Sequence, residues 1–149
     1  MSDPLYQAEI LELAKAGRAI GRLQSPTATA RVDNPLCGDR VTIDLAIEDG
    51  RVTAIGAKVQ GCALCQAAAA IIAAQAPGAA TTDLRAAGEA VAVYLAGAAG
   101  EDALPWTRLS NFAPVRAVRS RHECVLLPFK AIARALAESE VPGGAAVSS

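Results

Sequence analysis

The sequence predicts an α+β fold, with a small three-stranded antiparallel sheet packed against helices. Strand-like patterns lie before Gly61, and two of them are joined by Asp49-Gly50, a typical two-residue hairpin turn. From Cys62 onward the pattern changes to alanine-rich helix. A chain of 149 residues accommodates one ordinary domain with its own core.

The first half of the chain predicts one helix and three strands. The helix runs from Asp3-Pro4 to Gly17, because Asp caps a helix and proline suits the first helical position. A short strand is predicted over residues 27–33. Residues 41–47 alternate between apolar and polar, which is the period of a half-buried strand. Residues 51–59 return antiparallel with a bulge, because their apolar residues break strict alternation.

Two helices and a connection are predicted in the second half. The alanine-rich helix covers residues 62–75, and a further helix over residues 84–96 is capped by residues 81–83. Residues 104–118 hold two prolines and the only tryptophan, which predicts an irregular or short-helical connection.

A last helix is predicted from close to Cys124 to about Glu138. Pro128 has no amide hydrogen, so it fits best among the first helical positions, whose amides have no partner. One domain is therefore predicted over residues 1–138. The composition of residues 139–149 predicts a disordered tail.

Composition excludes several functional classes. Lys and Arg number 14 and Asp and Glu number 15, which predicts no binding to nucleic acid or to an anionic membrane. The N-terminal segment has no basic region followed by an uninterrupted apolar run, so no secretory signal is predicted. The most apolar run, residues 67–74, is far shorter than the ~20 residues that cross a bilayer. We therefore expect a cytoplasmic protein, whose four cysteines bind metal, act in catalysis or pack in the core.

The cysteines stand where predicted elements end. Cys37 lies in a turn after a strand, Cys62 and Cys65 lie at one helix start, and Cys124 lies at another. A helix start favours the thiolate, the form that binds metal or attacks sulfur. For Cys65 we favour core packing, because the inner face of an alanine-rich helix needs small side chains.

Three thiolates and the nearby carboxylate of Asp39 would complete a tetrahedral zinc site, and thiolates also suit iron-sulfur clusters. A hard oxygen ligand on a soft site is easier to displace than a fourth thiolate, so such a site would exchange ligands. The only histidine, His122, is more typical of a surface or hydrogen-bonding residue than of a ligand. The C-x-x-C pair of Cys62 and Cys65 would indicate thioredoxin-like redox chemistry only after a βαβ unit, whereas a hairpin precedes it here.

Three segments, NPLCGDR, GCALCQA and RHECVLLPFKAI, together resemble the signature segments of the IscU/NifU-N scaffold family. The resemblance is collinear and extends from LYQAEILELA to about residue 138. The 61 residues between Cys62 and Cys124 are similar in number to those of the SufU-like branch, and the predicted helix over residues 84–96 accounts for the length. Glu123, not a histidine, precedes the last cysteine, again as in that branch.

The resemblance implies a SufE/NifU-like architecture and a ligand set of Cys37, Asp39, Cys62 and Cys124. It implies zinc, or a transient [2Fe-2S] cluster, as the group bound. It also implies a SufS-like cysteine desulfurase and downstream iron-sulfur acceptor proteins as partners.

Chaperone delivery is not implied, because the basic LPPVK segment of compact scaffolds is replaced by FAPVRAVRSRHEC. The arginines of that segment have two alternative roles, docking of an acidic partner surface or a solvated helix face. These arginines are Arg116, Arg119 and Arg121.

Two versions of an iron-sulfur assembly function follow from this resemblance. In one, Cys37 is freed from zinc and takes persulfide sulfur from the desulfurase; in the other, the same residues assemble a labile cluster and pass it on. Neither version describes a stand-alone enzyme. The alternatives are a structural zinc domain that binds a protein partner and a C-x-x-C thiol oxidoreductase using Cys62 and Cys65.

Overall fold

The structure, a computed structural model, describes residues 7–36 and 38–140 and contains one antiparallel sheet in the order β1-β2-β3. The strands are β1 (Ala28–Asn34), β2 (Asp39–Glu48) and β3 (Arg51–Gln60). The helices are α1 (Ala8–Arg18), α2 (Ala63–Gln75), α3 (Thr81–Leu95) and α4 (His122–Glu140). The predicted α+β fold with three antiparallel strands is confirmed.

The β2–β3 hairpin follows the turn chemistry of the sequence. Asp49 (φ 53°) and Gly50 (φ 76°) both adopt the left-handed conformation of a tight two-residue turn. Ala46 pairs with Ala54, but Ile47 pairs with Val52, so β3 contributes one more residue than β2 at this point. The predicted hairpin and bulge are confirmed.

The core is built around α2, where nine consecutive residues from Leu64 to Ile72 are buried. Helix α2 contacts α1, α4 and β3. The approach of α1 is very close: a Cβ atom on Gly17 would lie 2.0 Å from the backbone oxygen of Gln66. Glycine is therefore required at this crossing, and small alanine side chains allow several elements to pack on one helix.

Helix α3 packs on α4 and begins at Thr81, three residues before the predicted start. The predicted cap is wrong: residues 81–83 form the first helical turn, where Asp83 faces the positive end of the helix dipole. The connection to α4 consists of 3₁₀ segments of 3, 11 and 3 residues, which agrees with the predicted irregular or short-helical connection; they are Glu101–Ala103, Thr107–Ala117 and Arg119–Arg121. Within it Leu109, Phe112 and Val115 are buried at every third residue, which is the 3₁₀ period.

Helix α4 begins at His122, two residues before Cys124. Pro128 lies in the second turn and cannot donate to the carbonyl of Cys124, so the proline sits deeper in the helix than predicted. The predicted start of the first helix at Asp3-Pro4 lies outside the described residues, and so does the predicted tail from residue 141 onward. Residues 139 and 140 of the predicted tail are helical, because α4 extends two residues past the predicted end at Glu138. Within the described part of the chain, no helix is long and apolar enough to cross a bilayer.

Asp44 joins the segment after α1 to the sheet. Its side chain is fully buried and accepts hydrogen bonds from Arg22 (Nε 2.6 Å, Nη2 3.0 Å), the Leu23 amide (3.0 Å) and the Thr29 hydroxyl (2.8 Å). Burial raises the pKa of Asp44, but the hydrogen bonds from Arg22, Thr29 and Leu23 outweigh it and hold the pKa below its ordinary value.

Candidate metal centre

The ends of three elements meet at one point. Asp39 is the first residue of β2, Cys62 directly precedes α2, and Cys124 lies in the first turn of α4. One carboxylate oxygen and the two sulfur atoms all lie within 4.8 Å of one another. The sequence placed the cysteines at the ends of three elements, and two of these cysteines, Cys62 and Cys124, do lie together. Cys37 lies outside the described residues, two positions before Asp39 in the sequence.

The donor atoms suit a cation. Asp39 is 6% exposed, and among the described residues its Oδ2 atom has no hydrogen-bond partner. A buried carboxylate oxygen without a partner is costly, and a bound cation is one way to satisfy it. Cys124 is buried and Cys62 is half-buried, so Cys62 is the more accessible of the two thiols. Two sulfurs and one oxygen are ligands that zinc accepts.

The two sulfurs differ in protonation. Hydrogen bonding to Cys124, supported by the amides of Cys65 and Leu64, lowers the pKa of Cys62 to about 6, although burial and Asp39 oppose it. The pKa of Cys124 is raised, because its thiol donates to Cys62, is buried and faces negative charge, while Arg121 opposes the rise. In the absence of metal, the pair therefore holds one thiolate at neutral pH, with the proton on Cys124.

The loop before Asp39 is bent by two local features. Gly38 has φ 77°, a conformation that glycine adopts at little cost, and its amide donates to the Asn34 carbonyl (2.8 Å). The side-chain oxygen of Asn34 accepts from the Leu36 amide (3.1 Å), which forms a turn of the Asx type. The turn that the sequence predicts after the first strand is confirmed.

Gly61 shapes the other side of the site. A Cβ atom at this position would lie 2.8 Å from Cγ and 3.0 Å from Oδ1 of Asp39, well inside normal contact. The absence of a side chain at Gly61 therefore leaves space for the carboxylate. Our reading of the sequence missed this role, although a glycine directly before a candidate ligand is a usable signal.

Other candidates from the sequence lie outside the group of donor atoms. The Nε2 atom of His122 donates to the carbonyls of Val115 (3.0 Å) and Arg116 (3.2 Å), since a carbonyl can only accept. His122 is therefore a hydrogen-bonding residue, the role that the sequence favoured. Cys65 is fully buried in the core, which confirms its assignment to packing.

The three arginines before α4 have different surroundings. Arg116 donates to the carbonyls of Tyr94 (2.9 Å) and Ala99 (3.1 Å), and its guanidinium lies 4.5 Å from the centre of the Tyr94 ring. Arg121 interacts with Cys124, and Arg119 is exposed. Arg119 is therefore accessible to an acidic partner, whereas the guanidinium of Arg116 is already hydrogen-bonded within the protein.

Solved structures share this fold. A nitrogen-fixing NifU-like protein (N-terminal) from Brucella abortus is 37% identical with a TM-score of 0.83, and the match covers 93% of this chain and 96% of that chain. A putative iron-sulfur cluster assembly scaffold protein for the SUF system (FiSufU) from Fervidobacterium islandicum AW-1 also has a TM-score of 0.83. That match covers 91% of this chain and 99% of the other at 23% identity, and shows the fold.

Sequence comparison assigns the family. Residues 5–118, most of the chain, match the family model of the NifU-like N terminal domain. The chain therefore belongs to the NifU-like N-terminal domain family, and the resemblance to IscU/NifU scaffolds is confirmed. The iron-sulfur cluster assembly scaffold protein IscU of Thermotoga maritima is 32% identical over 68 residues. That match covers 46% of this chain and 48% of that protein, about half the length of each.

Proposed function

We propose that this protein is a SufU-like iron-sulfur cluster assembly protein that accepts sulfur from a cysteine desulfurase at Cys37. The observation that carries the proposal is the convergence of Asp39, Cys62 and Cys124, donors from three separate elements, in a member of the NifU-like family. Cys37 lies two residues before Asp39 in the sequence, which supports it as the fourth member of the group.

Zinc is the proposed resident ion, held by Cys37, Asp39, Cys62 and Cys124. The unpartnered oxygen of Asp39 and the adjacent sulfurs of Cys62 and Cys124 fit such an ion. When bound, zinc would keep the thiols deprotonated at neutral pH. Asp39 would be the weakest ligand to a soft ion, which supports a site that exchanges ligands.

The sulfur transfer uses the thiolate of Cys37. This thiolate attacks the terminal sulfur of the persulfide on the desulfurase, so that a sulfur–sulfur bond forms on Cys37. The sulfur–sulfur bond of the donor breaks, and the donor cysteine leaves as a thiolate. The step is balanced without an external oxidant or reductant. A [2Fe-2S] cluster assembled on the same residues would be cargo for downstream acceptor proteins.

A cysteine desulfurase assay tests the proposal. Alanine formation by a purified SufS-like desulfurase is measured with and without this protein, and the metal content of the protein is determined in parallel. The wild-type protein should stimulate turnover, and Cys37→Ser should abolish the stimulation while the protein stays folded. If the wild-type protein has no effect on turnover, sulfur acceptance is wrong and cluster assembly must be tested directly.

The structural-zinc alternative makes a different prediction for the same variants. There, Cys37→Ser would lose metal and fold together, whereas in an exchangeable site Asp39→Ala should keep the fold and change the rate of metal exchange. Circular dichroism and chelator competition separate the two outcomes. The alternative has support from the burial of Asp39 and Cys124, which is also typical of structural sites.

The oxidoreductase alternative has less support. Cys65 is fully buried in the core, and α2 follows an antiparallel hairpin instead of a parallel βαβ unit. A reversible disulfide between Cys62 and Cys65 should therefore not be required. Full desulfurase stimulation by Cys65→Ser would exclude this alternative. The proposal places the protein in the cytoplasm, where thiols stay reduced.

A further inference from the structure

Leu36 is the most exposed of the large apolar side chains in the described residues, at 94%. The others are Leu11 on α1 (50%) and Val93 on α3 (44%), which lie on ordinary helix surfaces. Leu36 instead lies in the bent loop between β1 and β2, directly before Cys37. One exposed leucine needs no explanation by itself, so its surroundings decide whether it has a role.

A cleft lies beside Leu36, between the loop and α4. It has a volume of about 300 Å³, and its apolar wall extends the surface of the leucine. We call it the Leu36 cleft, and its apolar members are Val32, Pro35, Leu36 and Leu127. The other lining residues are Asp33, Asn34, Glu123 and Lys130, so an apolar strip beside the leucine is rimmed by polar groups.

The charged residues around the Leu36 cleft are already paired. Arg40 binds Asp33 at 2.8 Å, and Lys130 binds Glu123 at 2.5 Å. These pairs are about half exposed and worth little, but a charged segment entering the cleft would lose hydration, and the charges that line the cleft are already neutralised by their partners. An apolar segment would need no new counter-charge, so the rim is complementary to an apolar occupant.

The cleft and the candidate metal centre are built on neighbouring parts of the same elements. Helix α4 contributes both Cys124 and the cleft residue Leu127, and Leu36 is three residues before Asp39. A protein that reaches the thiol of Cys37 must come within covalent distance of it, and would therefore cover the neighbouring leucine. This step rests on the proposed function, in which Cys37 receives sulfur.

We infer that Leu36 and its cleft are a docking site for an apolar segment of the cysteine desulfurase. Leu36 binds the enzyme and takes no part in the sulfur transfer itself. Truncation or charge at this position should therefore weaken the complex and leave the rate at saturation unchanged.

The test compares Leu36→Asp with Leu11→Asp, which places the same charge on an exposed leucine of α1 distant in sequence. Calorimetry measures the dissociation constant with a purified SufS-like desulfurase, and the alanine assay measures turnover. Leu36→Asp should raise the dissociation constant about tenfold or more, from loss of a buried leucine contact, with unchanged maximal stimulation. Leu11→Asp should bind as the wild type, and both variants should keep the wild-type metal content and melting temperature.

The salt dependence of the dissociation constant distinguishes an apolar contact from a charged one. Between about 0.05 and 0.5 M sodium chloride, the dissociation constant of the wild-type protein should change only a few-fold, because screening acts on charge pairs. A steep salt dependence, with Arg119→Glu weakening the complex and Leu36→Asp leaving it intact, would overturn the inference in favour of a charged surface.

Two other results would also overturn it. Absence of binding by the wild-type protein would refute the docking site, whereas binding without stimulation would refute sulfur acceptance and leave the docking site standing if Leu36→Asp weakens the complex. Light scattering that shows a wild-type dimer and a Leu36→Asp monomer would assign the cleft to a second copy of this chain.

Discussion

A methyl group at Gly61 should disturb the candidate metal centre through Asp39. The added Cβ would lie 2.8 Å from Cγ of the carboxylate, whereas carbon atoms in contact are about 3.5–4.0 Å apart. The carboxylate must therefore retreat by roughly 1 Å, while distances between metal and ligand tolerate only about 0.2 Å. Gly61 is not among the glycines with positive φ, so alanine suits its backbone and the collision is the main effect.

The expected result for Gly61→Ala is zinc binding about 10–100-fold weaker, a magnitude typical of residues that orient ligands. This corresponds to roughly 1.4–2.8 kcal/mol of binding free energy. Affinity is measured by competition with a chromophoric chelator at fixed pH, and stability by urea unfolding. Gly100→Ala is the matched control, because no atom lies within 4 Å of a Cβ at that position.

A double-mutant cycle decides whether the methyl acts through the carboxylate. In an Asp39→Ala background the collisions with Cγ and Oδ1 are gone and only the approach to Cβ at 3.2 Å remains, so Gly61→Ala should have a much smaller further effect on zinc affinity. Equal affinity for Gly61→Ala and wild type would refute the reasoning. A loss of the same size in both backgrounds would show that the methyl acts elsewhere.

Three further predictions concern reactivity, packing and pH. In the metal-free protein, iodoacetamide should modify Cys62 with a midpoint near pH 6 and react little with Cys124, as followed by peptide mass spectrometry; equal rates would contradict the pKa values. Gly17→Ala should lower the free energy of unfolding by about 1–3 kcal/mol or more, since its Cβ would overlap the Gln66 oxygen; unchanged urea unfolding would contradict this. The lowered pKa of Asp44 stabilises the fold fully above the ordinary carboxyl pKa, near 3.8, and this stabilisation is lost as pH falls below it. Asp44→Asn should therefore be less stable at pH 7 and lose less stability on acidification; parallel pH profiles would contradict this.

Local patterns predicted most of the elements because their causes are local. The alternation over residues 41–47 and the Asp49-Gly50 pair are enough to specify a strand and its turn. The start of α3 was predicted three residues late, because a Thr-Thr-Asp run suits both a cap and a first helical turn. The backbone conformation at Ala80 decides between a cap and a first helical turn. Ala80 forms an isolated β-bridge with Arg51, a residue distant in the sequence, so this choice depends on tertiary structure.

The sequence by itself determined the class of fold, the family resemblance and the candidate ligands, since these depend on short motifs and residue chemistry. Only the tertiary structure decided which groups face one another. Asp39, Cys62 and Cys124 are far apart in the chain. Their donor atoms lie within 4.8 Å of one another because α2 and α4 pack against the sheet. The tertiary structure also decided that His122 faces backbone carbonyls and that Leu36 is exposed. Neither feature is encoded in the immediate sequence neighbours of the residue.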